Sequence, residues 1–446
     1  MPDNKDSLTL HKIFVFWLPL AATWLMMSLE GPFLSALIAR LDDPEYNLAA
    51  YGVAYSFALI IEAPVIMMMS ASTSLVRNFY SFTKLRLFTY TLNSLVTLGM
   101  IVLILPQVFY FLTLDLIRLP AEVANLTHTA LVILIPWPGA IGYRRFYQGI
   151  LIRNNLTRRV AYGTIVRLTS MAVTASTLYL FAKVDGIVVG AAALSAGVTM
   201  EAIASRFMAA SVLKRLKEDV LSGTDSLNYK EIINFYYPLA LTSMITLGVQ
   251  PLVTFFMGQS RMALESLAIL PVLTSFVFIF RSLGLSYQEV VIALIGEGGN
   301  NYRILKKFAV ILSLILVGIL FIIAFSPLAD IWFNKVSGLS EELTQFALTP
   351  LIIMGIFPML TILISFQRAL LVDAKKTKSI TFATVLEFTG IMLILLIGVR
   401  YFNLIGVIAA TAAFVAGRLC ANIYLSKPVA GVIKGYKRGI KIDFFT

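Results

Sequence analysis

The sequence predicts an all-α polytopic membrane protein, with about twelve transmembrane helices in two six-helix bundles related by a pseudo-twofold axis along the membrane normal. Three observations carry this prediction: a composition suited to a bilayer, basic residues confined to alternate loops, and an internal repeat spanning half the chain. Of 446 residues, 59% are hydrophobic and 13% charged, against about 25% charged in a soluble domain. A hydrocarbon core of roughly 30 Å takes about 20 apolar residues per helical crossing, and such stretches follow one another here almost without interruption.

By apolar length, helices are expected at about 13–39, 48–76, 88–111, 126–152, 160–182 and 185–212, then at about 232–259, 263–295, 304–328, 344–372, 379–400 and 403–426. The first stretch is too long for a secretory signal and is expected to remain as the first helix. One substantial polar linker, 213–231, lies at the midpoint. This organisation predicts an N-terminal six-helix lobe (1–212), a cytoplasmic linker (213–231) and a C-terminal six-helix lobe with a basic tail (232–446). The single cysteine, Cys420, rules out an intrachain disulfide and a thiolate metal cluster, and no metal site is expected.

Orientation follows from Lys and Arg, which favour the cytoplasmic side. The N-terminus, alternate loops and the C-terminal tail hold 23 basic residues, and the intervening loops hold six: Arg40, Arg118, Lys183, Arg261, Lys335 and Arg400. Both termini are therefore expected in the cytoplasm, in a multi-pass protein of the inner (plasma) membrane. The net charge of +12 then marks loops facing anionic lipid, and no basic-aromatic pattern points to nucleic acid.

The halves align at an offset of 219. Phe16-Trp17-Leu18-Pro19-Leu20-Ala21 matches Phe235-Tyr236-Tyr237-Pro238-Leu239-Ala240, and Pro32 falls on Pro251. Leu48-Ala49 falls on Leu267-Ala268, Gln148 on Gln367 and Leu151 on Leu370; one inserted residue then puts Gly186 and Gly197 on Gly406 and Gly417. Six helices per repeat preserve orientation, an arrangement suited to alternating access around a central cavity. Pro19 and Pro238 are expected in the first helical turn, where proline is harmless. Pro32 and Pro251 are the hinge candidates.

This six-plus-six pattern with proline-bent first and seventh helices resembles the multidrug, oligosaccharidyl-lipid and polysaccharide (MOP) flippase superfamily, with the architecture of its MATE branch. Within it, Leu48-Ala49-Ala50-Tyr51-Gly52-Val53-Ala54-Tyr55-Ser56, Phe235-Tyr236-Tyr237-Pro238-Leu239-Ala240-Leu241 and Glu265-Ser266-Leu267-Ala268-Ile269-Leu270 are similar to segments of the progressive ankylosis family. That resemblance implies export of a small polyanion such as pyrophosphate, citrate or nucleotide.

Charges inside the membrane point the same way, since they are costly there and usually functional. Once the 23 and six basic residues of the ends and loops are set aside, seven remain inside the membrane, all of them arginine: Arg144, Arg145, Arg167, Arg206, Arg281, Arg368 and Arg418. Against them stand Glu30, Glu62, Glu201, Glu289 and Glu387. Arginine's fork suits phosphate and carboxylate and stays charged when buried. The candidate substrate-binding residues are Arg281, Arg144, Arg145, Arg368, Arg418, Tyr51, Tyr55 and Gln148. Tyr51, Tyr55 and Glu62 share one helix face. Arg206, near a cytoplasmic helix end, is read as snorkelling to headgroups. The coupling or gating candidates are Glu30, Glu62, Glu289, Glu387, Pro32 and Pro251. Glu62 and Arg281 are equivalent under the repeat offset and are expected to pair in one state of the cycle.

No enzyme is expected: the two histidines, His11 and His128, stand near helix ends, and no HExxH, nucleophile elbow or P-loop is present. The reading is a secondary active exporter of small polyanions, monomeric, embedded among membrane lipids and without a cofactor. The coupling ion is left open between proton and sodium. The alternatives are a MATE-type multidrug cation exporter, which would use Glu30 and Glu62 as binding or proton sites, and a lipid-linked saccharide flippase.

Overall fold

The computed structural model describes residues 8–154, 156–218, 227–374, 376 and 378–437. All twelve expected helices form, several of them broken. The first half runs α1 (Leu10–Ser28), α2 (Glu30–Ile38), α3 (Pro44–Glu62), α4 (Met68–Leu75), α5 (Phe79–Leu103), α6 (Pro106–Tyr110), α7 (Ala121–Ile133), α8 (Trp137–Arg153), α9 (Thr157–Phe181), α10 (Gly186–Met208) and α11 (Ala210–Glu218). The second half runs α12 (Tyr229–Leu247), α13 (Val249–Gly258), α14 (Ala263–Leu285), α15 (Tyr287–Leu294), α16 (Tyr302–Ala324), α17 (Leu328–Asp330), α18 (Glu341–Met354), α19 (Phe357–Asp373), α20 (Lys378–Arg400) and α21 (Gly406–Lys437). Among the described residues ten helices are long and apolar enough to cross a membrane, or eleven if α7 and α8, bent by 41°, make one crossing. The chain is a multi-pass membrane protein.

The repeat is visible in the helix ends. α1 and α12 start at Leu10 and Tyr229 and break at Leu29 and Gly248, every pair 219 apart. Each break stands one turn before a proline. Pro32 has no N–H for the Ser28 carbonyl and its ring crowds that oxygen, so α1 stops at Ser28 and a new helix begins. Pro251 does the same to Leu247. The expected first-turn placement of Pro19 and Pro238 is corrected: both lie midway along unbroken helices. The helices start before the apolar stretch because polar caps lie upstream. The Thr9 hydroxyl accepts from the Lys12 amide at 3.2 Å, and the Asn228 amide donates to Glu231 at 3.3 Å.

Later elements are offset by 220. α8 and α19 start at Trp137 and Phe357, each followed by a proline. π-helical turns occupy Phe111–Leu116 and Ile331–Val336, and a left-handed residue follows each, Arg118 (φ 65°) and Gly338 (φ 77°). Leu85 and Leu305 are both fully buried, which puts the inserted residue before α5 and α16. Gln148 is therefore equivalent to Arg368, where the sequence alignment paired it with Gln367. An apolar helix tolerates a one-residue slip in alignment, and only the helix starts reveal it.

Contacts group the described chain into two compact units, one of residues 34–271 and one of residues 8–33 with 272–437. They differ from the sequence halves 1–212 and 232–446: α1 packs in the core of the unit that follows residue 271, and α12 in the core of residues 34–271. In the first unit Ile232 and Tyr236 join Phe82, Phe146 and Tyr147. In the second, Ile13 and Trp17 join Tyr287, Leu305 and Phe308. The same polar contact recurs in both. The Tyr236 hydroxyl donates to the Pro64 carbonyl, in the break between α3 and α4. Trp17 Nε1 donates to the Leu283 carbonyl at 3.3 Å and to Ser286 Oγ at 2.8 Å, beside the break between α14 and α15. Trp17 is equivalent to Tyr236, and Leu283 to Pro64. A carbonyl at a helix break in hydrocarbon needs a donor, and an aromatic N–H or O–H from the neighbouring helix supplies one. Tyr236→Phe keeps the ring and removes the donor. It should lower unfolding stability in detergent by about 1–3 kcal/mol, read as a fall in the thermal midpoint; an unchanged midpoint would contradict this role for the hydroxyl.

Candidate functional sites

In the unit of residues 34–271 the polar site is built on α8. Gly149 lets α8 press against α4: a Cβ there would fall 1.8 Å from Ser72 Oγ and 2.3 Å from the Met69 carbonyl. This contact fixes the rotation of α8, and Arg144 and Gln148, one turn apart on one face, point to Glu201 on α10. Arg144 pairs with Glu201 Oε2, and Gln148 Nε2 donates to Oε1 at 2.9 Å. Glu201 is 1% exposed, and both its oxygens are occupied. The sequence marks Glu201 as an intramembrane acid but assigns it no role, because its partners lie more than 50 residues away. Arg145 turns elsewhere, its Nη1 standing 3.8 Å from Met69 Sδ, a weak acceptor.

Glu62 ends α3 and accepts from Trp137 Nε1 at 2.5 Å. The charged groups near enough to act on it are Arg144, Arg145 and Arg167. Tyr51 and Tyr55, on the same helix, stack on each other with centroids 6.3 Å apart. Glu30 is buried at the start of α2, two residues before Pro32.

In the other unit the charged residues come from four elements, and two of them reach one aromatic ring. Arg281 comes from α14, Arg368 from α19, Glu387 from α20 and Arg418 from α21. The Arg281 guanidinium stands 4.3 Å from the centroid of Phe357, and Arg418 5.3 Å from the same centroid. Arg418 Nε donates to Glu387 Oε1 at 2.7 Å. Arg281 Nε reaches Thr361 Oγ1 at 3.4 Å, and Arg368 Nη2 reaches Thr384 Oγ1 at 3.3 Å. The charged groups acting on Arg281 are Arg418 and Glu387, and the same two act on Arg368. Of these three guanidiniums only Arg418 bonds to Glu387, and the other two bond to threonine hydroxyls. Glu289 lies apart from them, exposed on α15.

The two sites occupy equivalent places with opposite chemistry. Glu62 and Arg281 are repeat partners, and so are Trp137 and Phe357, each the first residue of its helix. Where the first unit has a carboxylate it has an indole N–H to donate. Where the second has a guanidinium it has a phenyl face, which attracts a cation. Neither aromatic was singled out by sequence; aligning helix starts would have found both.

No protein-family model matches the sequence, and no curated protein matches it. Solved structures match over nearly the whole chain. An inward-facing multidrug resistance MATE family transporter of the MOP superfamily superposes with a TM-score of 0.72, covering 93% of this chain and 96% of its own at 14% identity. The chain has the MOP transporter fold. Lipid II flippase MurJ, in an inward closed conformation, shares this fold at a TM-score of 0.71, with 95% and 90% coverage and 16% identity. A MOP superfamily transporter from Pyrococcus furiosus, described as having a binding pocket of reversed polarity, matches at 0.57, with 96% and 94% coverage and 15% identity. The MOP fold accounts for the all-α architecture of about twelve helices.

Proposed function

We propose that this chain is a secondary active, alternating-access exporter of small polyanions such as pyrophosphate, citrate or nucleotide, and that Arg281, Arg368 and Arg418 bind the anion. The observation that carries this reading is a set of three guanidiniums in one unit, of which only Arg418 has a carboxylate, Glu387, as its bonded partner among the described residues. Excess positive charge within a membrane-spanning bundle is costly, and an anion with several oxygens offsets that cost while using the arginine forks. Arg144 is a weaker candidate, because Glu201 already neutralises it. Arg145, Tyr51, Tyr55 and Gln148 then line or support the first unit's site. Glu30, Glu62, Glu289 and Glu387 are the acids available to couple transport to a proton or sodium ion, with Pro32 and Pro251 as bending points. The protein acts as a monomer in the inner membrane with both termini cytoplasmic. The finer resemblance to the progressive ankylosis family rests on the three sequence segments.

A second reading draws on the descriptions of the neighbours, multidrug resistance and lipid II flipping. An exported cation would use Glu30 and Glu62, of which Glu62 already accepts from Trp137, and Glu201 is held by Arg144 and Gln148. Pocket polarity also differs among proteins of this fold, by the description of the Pyrococcus furiosus transporter. Competition binding to purified protein separates the readings. Pyrophosphate, citrate and ATP should displace one another, and ethidium should displace none of them; displacement by ethidium would overturn the polyanion assignment.

A further inference from the structure

Arg206, read from sequence as a snorkelling residue, stands in a formed groove. A cavity of about 430 Å³ opens between α8 and α10 in the unit of residues 34–271, lined among others by Gly139, Ala140, Tyr143, Thr199, Ile203 and Arg206. The small residues of α8 leave the space. The Arg206 guanidinium lies 5.4 Å from the centroid of Tyr147 and makes no ion pair among the described residues, and no acid lines the cavity. Hydroxyl groups gather beside it. Tyr90 and Tyr147 share a 2.9 Å hydrogen bond, Tyr143 packs on both their rings at 5.8 and 4.8 Å, and Thr199 is in the lining. One wall is apolar and outward-facing: Ile203 is 44% exposed and the neighbouring Phe207, also in the lining, 75%.

We propose that this groove is a site for an anionic phospholipid, its phosphate on Arg206 with Tyr143 and Thr199 as hydroxyl donors, and an acyl chain along Ile203 and Phe207 over Gly139 and Ala140. Charge and shape together select this occupant. A guanidinium without a carboxylate partner calls for an anion, while the exposed apolar wall calls for hydrocarbon, and an anionic lipid carries both. Arg206 lies in the last turn of α10, before the basic residues Lys214, Arg215 and Lys217 of α11, a distribution matched to a negatively charged leaflet. The site is independent of the polyanion reading, which rests on the other unit.

The test is native mass spectrometry of the full chain released from micelles holding equal phosphatidylglycerol and phosphatidylcholine. The wild type should retain one phosphatidylglycerol with about fivefold preference, the size expected for one basic residue at an anionic lipid surface. Arg206→Gln should abolish the preference, and Arg206→Lys should keep most of it. Ala140→Phe, which fills the groove away from the charge, should remove the bound lipid while the protein still elutes as the wild type. Equal retention of the two lipids by the wild type would overturn the proposal. So would a preference that survives both Arg206→Gln and Ala140→Phe, or a lipid-free dimer that Ala140→Phe dissociates.

Discussion

Glu201→Ala should destabilise the protein by about 3–5 kcal/mol, the cost of leaving one member of a buried ion pair without its partner. Arg144 would remain on α8, held in place by the close contact at Gly149, without its ion-pair partner. Gln148 would lose its acceptor as well. The double variant Arg144→Met with Glu201→Leu replaces the pair by apolar side chains and should recover most of that loss. Thermal unfolding of the three proteins in one detergent measures both effects. Additive losses in the double variant would show that the two residues act separately and would contradict the pair's assignment.

Arg281→Ala and Arg418→Ala should each weaken polyanion binding by about 10- to 100-fold, the range for hydrogen bonds to charged groups. The two are not equivalent structurally. Arg418 holds Glu387, so its loss also frees a carboxylate to repel the anion, and Arg418→Ala should be the more damaging. Arg281→Lys should restore little, since an ammonium cannot reproduce a fork stacked on Phe357. Arg206→Ala, in the other unit, should leave the affinity unchanged. If Arg281→Ala and Arg206→Ala gave the same affinity in titrations of pyrophosphate, the ranking of arginines would fail.

Much of this structure can be read from the residues before any coordinates, for one reason: bilayer thickness sets helix length. The expected helix at 379–400 is Lys378–Arg400, and that at 304–328 is Tyr302–Ala324. The breaks at Leu29 and Gly248 follow from Pro32 and Pro251 and the missing N–H. The break between α7 and α8 was not expected, although Pro136 and Pro138 stand there, because apolar length alone favours one unbroken helix over 126–152. The exchange of α1 and α12 between the repeat halves leaves no mark in hydropathy, since both are long and largely apolar.

At the sites the charges are legible and their partners are not. An arginine in an apolar stretch is conspicuous, which is why Arg144, Arg281, Arg368 and Arg418 were found. Trp137 and Phe357 look like any lipid-facing aromatic until the helix starts are aligned. The pairing of Arg144 with Glu201 depends on how α8 and α10 pack. Nothing in their spacing distinguishes it from a pairing of Arg145 with Glu62.

The most direct test of the polyanion reading is uptake into proteoliposomes containing the purified chain. Labelled pyrophosphate should accumulate saturably in exchange for internal pyrophosphate, citrate and ATP should inhibit, ethidium should not, and Arg281→Ala should abolish the signal. Robust transport of ethidium-like cations with no uptake of any of the three anions would contradict it.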